Sequence, residues 1–430
     1  MAFGAVIDCT GGRIALSAWS ATARRAEGTR GVPACRSGPD LLFMSPGMYT
    51  RRALLKGAAG LSLAAPFLSL RSRLAIADGA VLNHPMIERT ARPLNYEAPL
   101  DALGTRITPI DRFFLRNHFD LPSIDAASWR LTINGLVDRP LVLALPDLEK
   151  MKQVTVEAVL QCSGNGRGLF IPHVGGVQWQ RGAVGNARWT GPRLADVLAL
   201  AVPKKEGRHL ELQGHERPVL DKTPRFIRGI PMAKGMHGDT IIALRMNDRP
   251  LPMAHGLPAR LVVPGWVGDD WMKWLARVTV LPEEPKGFWY ETAYRFPITP
   301  GAPGAPIPAE QMRPMQELVV KSLIAAPADG SVLQPGRVTV RGVAFSGEHG
   351  IKKVEVSVDG GGTWKSAALE PGGRYGFTMF EIAFEAKPGK LRILSRATDD
   401  AGAVQPATPT WNPAGYLYNA VDGIDVEVRA

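Results

Sequence analysis

Residues 159–168 read Val-Leu-Gln-Cys-Ser-Gly-Asn-Gly-Arg-Gly. An apolar run that starts at residue 154 has the pattern of a short strand and leads into this stretch, and glycines follow its cysteine. Glycine allows the backbone to approach a ligand closely, so we expect the thiol of Cys162 to stand at the end of a strand, beside a binding site. A soft thiolate in that position suits a soft or high-valent metal better than magnesium or calcium.

An export signal is predicted upstream of this cysteine. The arginine pair 51–52 opens an apolar stretch that ends in a small-residue cleavage pattern at 75–77. These features predict a twin-arginine signal, cleavage near Ala77, a periplasmic protein and no membrane span after cleavage. Cys9 and Cys35 lie upstream of the signal. Cys162 therefore cannot form an internal disulfide, which leaves a buried inert thiol, a metal ligand or a reactive thiol.

The net charge of +11 is concentrated in the N-terminal region. Residues 1–77 carry 10 Lys and Arg against 3 Asp and Glu, and the remainder carries 41 against 37, a net of +4. The exported part is thus only mildly basic and has no lysine-rich tract, which argues against nucleic-acid binding. No Cys-x-x-Cys-His motif occurs in the sequence, so no covalent haem is expected in this chain.

The chain has 430 residues, 45% of them apolar, which is enough for two domains with separate cores. We predict an N-terminal extension and signal at 1–77, a first domain at 78–312 that ends in a Pro-rich connector from residue 297, and a second domain at 313–430. In the first domain, residues 129–135 alternate like a strand and residues 194–200 have helical spacing.

The second domain has a different sequence pattern. Residues 337–345, 353–360 and 391–397 alternate with period two, and turns are predicted at 359–360 and 388–389. Short strands at regular spacing predict an immunoglobulin-like β-sandwich. Such domains more often serve assembly than chemistry.

Basic and polar residues recur in short sequence motifs before and after the cysteine. The pattern of a thiolate with several arginines, histidines and a lysine suggests an anionic cofactor together with an anionic substrate. The motifs lie at 114–118, 161–167, 179–191, 255–260, 263–265, 272–274, 287–295 and 356–364. With these motifs in this order, the chain resembles the sulfite oxidase family of molybdenum enzymes, and most of all the bacterial periplasmic sulfite dehydrogenases.

The resemblance implies an α+β fold, in which a sulfite-oxidase-type molybdopterin domain is followed by a C-terminal immunoglobulin-like sandwich that dimerises. It implies that Cys162 binds molybdenum and that a molybdopterin supplies further ligands. Residues implied to hold the cofactor are Phe114, Leu115, Arg116, Asn117, His118, His255, Arg260, Met272, Lys273 and Trp274. Residues implied to line the oxyanion pocket are Arg116, Arg167, Trp179 and Tyr294.

The implied activity is oxidation of sulfite, or a related sulfur oxyanion, to sulfate, with electrons passed to an external c-type cytochrome because no cytochrome b5-like domain is present. Alternatives are the molybdenum subunit of a sulfane dehydrogenase in the thiosulfate-oxidising complex, a methionine-sulfoxide reductase, and a non-enzymatic exported protein that keeps the fold. The sandwich argues against the reductase. One position departs from the family pattern: where members often carry Gly-x-Asp, residues 214–216 read Gly-His-Glu, so no ligand is expected there.

Overall fold

The computed structural model describes residues 86–430, all of which belong to one compact unit. The predicted extension and export signal at 1–77 lie outside this range. Within residues 86–430, no helix is long and apolar enough to cross a membrane. The described part of the N-terminal domain, from residue 86, contains three short α-helices, Leu145–Glu149, Leu194–Ala201 and Met232–Gly235. Its strands are β1 Ile87–Thr90, β2 Asn95–Glu97, β3 Arg130–Gly135, β4 Leu141–Ala144, β5 Gln153–Gln161, β6 Val184–Pro192, β7 His209–Gly214, β8 Ile227–Pro231, β9 Ile241–Ala243, β10 Arg245–Met246, β11 Arg249–Pro250, β12 Arg260–Val262, β13 Leu275–Leu281, β14 Arg295–Pro297 and β15 Met312–Pro314.

A five-stranded sheet in the order β4-β3-β13-β7-β8 supports one side of the pocket described below. Strands β3 and β13 run parallel and the other neighbours run antiparallel. Val278 and Val280 of β13 are fully buried while Thr279 between them is less so, as expected for a sheet with one buried face. The helix Leu194–Ala201 buries its apolar positions, among them Val197 and Leu198, in the same core.

A four-stranded sheet in the order β11-β10-β6-β5 carries the glycine-rich turn. β5 and β6 pair antiparallel from Gln153–Pro192 at one end to Gln161–Val184 at the other. Cys162 follows β5 directly, and its N–H extends the ladder by donating to the carbonyl of Ala183 at 3.0 Å. The sheet therefore fixes where the cysteine begins the turn.

The C-terminal domain is a β-sandwich. Its strands are β16 Lys321–Ala326, β17 Val332–Leu333, β18 Gly336–Phe345, β19 Ile351–Ser357, β20 Lys365–Ser366, β21 Ala368–Glu370, β22 Thr378–Ala386, β23 Gly389–Asp399 and β24 Asp422–Val428. They form two sheets, in the orders β16-β18-β22-β21 and β17-β24-β23-β19-β20. Val340, Phe380 and Ile393 lie in the core between the sheets.

The Pro-rich segment that begins at residue 297 folds back against the protein. β14 and β15 pair antiparallel at its two ends, so the segment is a closed loop. Ile307 within it packs beside Phe170, Val174 and Trp411. The segment is therefore not a free spacer, because the Ile307 side chain packs in a hydrophobic cluster.

The main features predicted from the pattern are present. The strand at 129–135 and the helix at 194–200 correspond to β3 and Leu194–Ala201. The period-two runs of the second domain correspond to β18, β19 and β23, and glycines with positive φ stand at both predicted turns. The predicted α+β domain and β-sandwich are confirmed in the structure.

Candidate active site

The site is built around the turn that follows Cys162. The N–H of Asn165 donates to the Cys162 carbonyl at 2.9 Å, and the Asn165 side chain joins the turn to the flanking strands by accepting from Ala183 at 3.0 Å. Gly166 has a φ of +93°, and a Cβ there would lie 2.6 Å from Tyr418 of the sandwich. Only glycine fits this position, because the backbone is left-handed and a second domain approaches it closely.

A cleft of about 620 Å³, including its open mouth, lies above this turn. Cys162 is partly exposed to it. Burial raises the pKa of the Cys162 thiol, whereas Arg116 and Arg167 oppose the rise. The lining residues come from distant parts of the sequence: Phe114, Arg116, His118, Leu160, Cys162, Ser163, Glu216, Phe226, Ala254, His255, Arg260, Gly268, Asp269, Trp271, Met272, Lys273 and Tyr294.

The segment 114–118 contributes alternate residues. Phe114, Arg116 and His118 line the cleft, but Leu115 and Asn117 do not. Leu115 pairs with β2 and packs outside the cleft, and Asn117 is buried beneath it, where its side chain accepts from Lys273. An extended segment points successive side chains in opposite directions, which separates the five predicted residues into three that line the site and two that support it.

One side of the cleft is basic. Arg260 is buried, and its Nη1 donates to the carbonyl of His255 at 3.1 Å. No carboxylate among residues 86–430 pairs with Arg260, and burial lowers its pKa to about 9. Burial, with Arg260 and Lys273 nearby, also lowers the pKa of His255 to about 3, so this imidazole is neutral. Lys273 donates to the carbonyl of Ala254 at 3.1 Å.

Glu216 lies in the cleft, although the Gly-His-Glu sequence gave no reason to place it there. Burial raises its pKa to about 7, and Lys273 and Arg116 oppose the rise. Its position two residues after β7 was a usable signal, since Lys273 lies two residues before β13, the neighbour of β7 in the sheet.

Asp269 of the cleft lining belongs to an acidic pair around one arginine. Arg228 Nη2 lies 3.0 Å from both Asp269 Oδ2 and Asp270 Oδ1. Burial alone would lower the pKa of Arg228, but the two carboxylates outweigh it and the pKa is raised. Burial raises the pKa of Asp270 to about 8; the neighbouring Asp269 adds to the rise, and Arg228 opposes it. Pattern analysis missed all three residues.

An aromatic wall completes the site. The Tyr294 hydroxyl makes a close hydrogen bond with His118 Nε2. The His118 ring stacks on Phe226 with centroids 4.0 Å apart and meets the edge of Trp289 at 4.8 Å. Burial, aided by Arg116, lowers the pKa of His118 well below its usual value, and burial raises the pKa of Tyr294. His118 is thus neutral and the phenol keeps its proton.

Three further predicted residues lie behind the lining. Trp274 is fully buried, and its Nε1 donates to the Met253 carbonyl at 2.7 Å. Trp179 is fully buried and meets the edge of Phe114 at 6.5 Å. Arg167 turns away from the cleft, since its Nε donates to the carbonyl of Ala414 at 2.8 Å. These residues support the site from behind, and the structure does not place them in the cleft lining.

The sandwich also contacts the site, although a domain of this kind more often serves assembly than chemistry. Tyr416 stacks on Tyr294 with centroids 5.4 Å apart and rings 16° from parallel. The Leu417 N–H donates to the carbonyl of Ser163 at 2.8 Å. Arg167 lies over the Tyr416 ring at 5.2 Å. The segment 414–418 thereby holds the cysteine turn and the tyrosine wall together.

Two protein families match the chain. The Oxidoreductase molybdopterin binding domain matches residues 118–289, and the Mo-co oxidoreductase dimerisation domain matches residues 312–428. Sulfite oxidase of Arabidopsis thaliana is 33% identical over 363 residues, which cover 78% of this chain and 92% of the plant protein. The chain belongs to the sulfite oxidase family of molybdenum oxidoreductases.

Other similarities agree with this membership. Mitochondrial sulfite oxidase of Mus musculus is 36% identical over 369 residues, covering 81% of this chain and 66% of that protein. This chain therefore spans about two thirds of the mouse enzyme. The crystal structure of the sulfane dehydrogenase SoxCD from Paracoccus pantotrophus superposes with a TM-score of 0.67 and 27% identity, covering 86% of this chain and 96% of that one.

The cleft of this sulfite oxidase family member fits a molybdopterin. Arg260 Nε is buried without a hydrogen-bond partner in the described part of the chain, so an anionic group such as the cofactor's phosphate would satisfy it. Within residues 86–430, no group of three or more His, Cys, Asp and Glu could hold a metal by itself. A soft thiolate at Cys162 suits a metal that also carries the dithiolene sulfurs of a molybdopterin.

Proposed function

We propose that this protein is a periplasmic sulfite dehydrogenase that oxidises sulfite to sulfate and passes the electrons to an external c-type cytochrome. The observation that carries the proposal is the position of the Cys162 thiol, which faces the cleft together with Arg116. The sulfite oxidase relatives from mouse and Arabidopsis support sulfite as the substrate.

In this proposal, the two sides of the cleft have different roles. Arg260, Lys273 and His255 hold the pterin and its phosphate, and Cys162 binds the metal. When bound, the cofactor supplies the oxygen-atom transfer and two-electron chemistry. Arg116 orients the sulfur oxyanion beside the metal.

Arg116 is suited to receive an anion because it has no carboxylate in a salt bridge among residues 86–430. Its Nη1 donates to the carbonyl of Asn117, so the guanidinium is hydrogen-bonded to the backbone of its own segment. Burial alone would lower the pKa of Arg116, but Tyr294, Cys162 and other acidic groups raise it. The guanidinium remains charged in a partly desolvated cleft, where a charge-assisted contact to an oxyanion is strong.

Molybdenum content and a substrate panel test this function. The purified protein should contain molybdenum and should reduce cytochrome c or ferricyanide when sulfite is added. Cys162→Ser should retain its fold by circular dichroism and lose more than about 100-fold in turnover, because replacement of a direct ligand should exceed the effect of an outer-shell change. Full sulfite oxidation by this variant would remove Cys162 from the metal.

Arg116→Gln tests the anion pocket. The variant should raise the Michaelis constant for sulfite by about 10-fold or more, the effect of losing one charge-assisted hydrogen bond of about 1.5–3 kcal/mol. Arg188→Gln is the matched control, because Arg188 pairs with Asp248 at an exposed position outside the cleft. Equal Michaelis constants in wild type and Arg116→Gln would place the anion pocket elsewhere.

A sulfane dehydrogenase activity is the second candidate. The similarity to sulfane dehydrogenase SoxCD over 86% of this chain favours it. The same panel separates the two, since a sulfane dehydrogenase would oxidise a thiosulfate-carrier conjugate and leave sulfite unreacted. A purified protein without molybdenum would instead identify a non-enzymatic protein that keeps the fold.

The partner and compartment proposals have separate support. The match to a dimerisation domain at 312–428 supports a homodimer, which light scattering of the full chain would reveal as twice the mass of one chain. The arginine pair at 51–52 supports export, and replacing both by lysine should retain the protein in the cytoplasm.

A further inference from the structure

A buried chain of polar contacts connects the cysteine turn to the aromatic wall. The Ser163 hydroxyl, next to Cys162, donates to Asp269 Oδ1 in a close hydrogen bond. Asp269 Oδ2 lies 3.0 Å from Arg228 Nη2. Arg228 in turn lies over the ring of Tyr294 at 5.0 Å. Asp269 thus accepts a hydrogen bond from the turn through Oδ1 and forms an ion pair with the arginine through Oδ2.

This network is buried to a degree that requires compensation. The side chains of Arg228, Asp269 and Asp270 are 1%, 3% and 0% exposed. Two carboxylates share a single guanidinium, whose Nη1 is further held by the Trp289 carbonyl at 2.5 Å. Desolvating charges is costly, so such a cluster persists only where its geometry is well determined. The cluster can therefore hold the residue it touches, Ser163, in a fixed place.

Asp269 also presents a charge to a cleft that accepts an anion. It belongs to the cleft lining with Cys162 and Arg116. Burial raises the pKa of Asp269, whereas Arg228 and the hydrogen bond from Ser163 favour its charged form. Arg228 balances that charge, which limits its repulsion of a sulfur oxyanion. A metal held by Cys162 experiences the charge that remains, because interactions between charges are strong in a site shielded from water.

We propose that Asp269 is a positioning residue for Cys162: it holds the cysteine turn through Ser163, and its charge, balanced by Arg228, sets the reduction potential of the metal. The proposal rests on metal binding at Cys162, which is part of the proposed function. It does not depend on which sulfur compound is the substrate.

The test uses the full-length, metal-loaded protein and two small changes, Asp269→Asn and Ser163→Ala. The readouts are the midpoint potential of the metal by redox titration and the electron paramagnetic resonance spectrum of its one-electron-reduced form. Asp269→Asn should raise the potential, because removal of a nearby negative charge favours addition of an electron. Ser163→Ala should lower it, because the carboxylate loses a donor.

The two changes should depend on each other. In the Asp269→Asn background, Ser163→Ala should cause no further shift, since the hydroxyl acts through the carboxylate charge. Asp248→Asn is the matched control: Asp248 is an aspartate in an ion pair with an arginine, its side chain is 64% exposed, and it does not line the cleft. Its potential and spectrum should equal those of wild type.

Three results would overturn the proposal. One is an unchanged potential and spectrum in both single variants at full molybdenum content. Another is the same Ser163→Ala shift in both backgrounds. The third applies if Asp269→Asn does not fold. An unchanged potential and spectrum in Ser163→Ala, which removes only one hydroxyl, would then contradict the link between the cysteine turn and Asp269. None of these measurements needs substrate, so a protein that binds molybdenum but fails to oxidise sulfite still gives an answer.

Discussion

Arg260 and Arg228 are two buried arginines at one cleft: Arg260 lines it, whereas Arg228 pairs with Asp269 of the lining, and the surroundings of the two differ. Arg228 lies within 3.0 Å of two carboxylates, and its pKa is raised. Arg260 lies over the rings of Trp189 and Trp271, has no carboxylate partner among residues 86–430, and its pKa is lowered to about 9 by burial.

The difference separates an internal role from a ligand-binding role. A buried charge is tolerated when it is paired, as that of Arg228 is. A buried arginine without an acidic partner keeps a desolvation cost that a bound anion can offset. We therefore propose that Arg260 binds an external anion, whereas Arg228 pairs with the protein's own carboxyl groups beside the cysteine turn.

Arg228→Leu should give the largest effect, on folding. The change leaves Asp269 and Asp270 buried without their cation, and we expect a loss of about 3–5 kcal/mol in the free energy of unfolding. Urea denaturation of the cofactor-free protein measures this loss. Arg188→Leu, which breaks the exposed pair with Asp248, should cost no more than about 1 kcal/mol. Equal losses in the two variants would show that the buried network has no special weight.

The buried carboxyl group of Glu216, near Lys273 in the cleft, should make the stability of the protein depend on pH. Its pKa of about 7 in the folded protein exceeds the ordinary 4.5, so the folded state binds its proton more tightly than the unfolded state. The contribution of Glu216 to stability is therefore greatest below pH 4.5 and falls as the pH rises to about 7, by on the order of 3 kcal/mol.

Unfolding of the cofactor-free protein at pH 5 and pH 8 measures this dependence. Glu216→Gln should flatten the decline, whereas Glu149→Gln, an exposed change on the helix Leu145–Glu149, should leave it as in wild type. A decline of the same size in Glu216→Gln would assign it to other groups, such as Asp270.

Arg260→Gln should affect cofactor binding and leave folding intact. Loss of one charge-assisted hydrogen bond of about 1.5–3 kcal/mol should weaken molybdopterin retention by about 10- to 100-fold. The cofactor-free variant should be as stable as wild type or slightly more so, because an uncompensated buried charge is removed. Molybdenum content after dialysis, together with denaturation, checks both. A variant that loses stability but keeps its molybdenum would reverse the roles of the two arginines.

Much of the architecture could be predicted from local pattern. The strand that leads into Cys162, the glycine turn and the period-two strands of the sandwich are encoded by neighbouring residues. The orientation of Arg167 could not be predicted, because it depends on the carbonyl of Ala414, 247 positions away. The resemblance indicated the segment 114–118, but only the extended backbone decided which of its residues face the cleft.

The acidic pair was missed for a related reason. Asp269 and Asp270 lie in an ordinary short turn, and Arg228 lies in β8, so no spacing in the sequence connects them. Their meaning comes from burial and from the shared guanidinium, both of which exist only in the folded chain. Tyr416 likewise became part of the site through the packing of the sandwich on the cysteine turn.

Tyr294→Phe should give the smallest effect and sharpen the comparison on the side of Arg228. The ring would remain, and with it the contact to Arg228 at 5.0 Å and the stack on Tyr416. Only the hydroxyl and its hydrogen bond to His118 are lost. A neutral hydrogen bond contributes about 0.5–1.5 kcal/mol, so we expect a slowing of about 2- to 10-fold in one step.

That step should be reoxidation of the metal. Tyr294 keeps its proton because burial raises its pKa, and His118 beside it is neutral because burial lowers its pKa, so the phenol stays a neutral hydrogen-bond donor that can hold a water in place as protons and electrons leave the site. Stopped-flow measurements should show slower reoxidation by cytochrome c and an unchanged rate of reduction by sulfite. Tyr294→Leu, which also removes the ring, should in addition lower stability because Arg228 and Tyr416 lose their contact. Unchanged rates in Tyr294→Phe would limit this tyrosine to packing against Arg228.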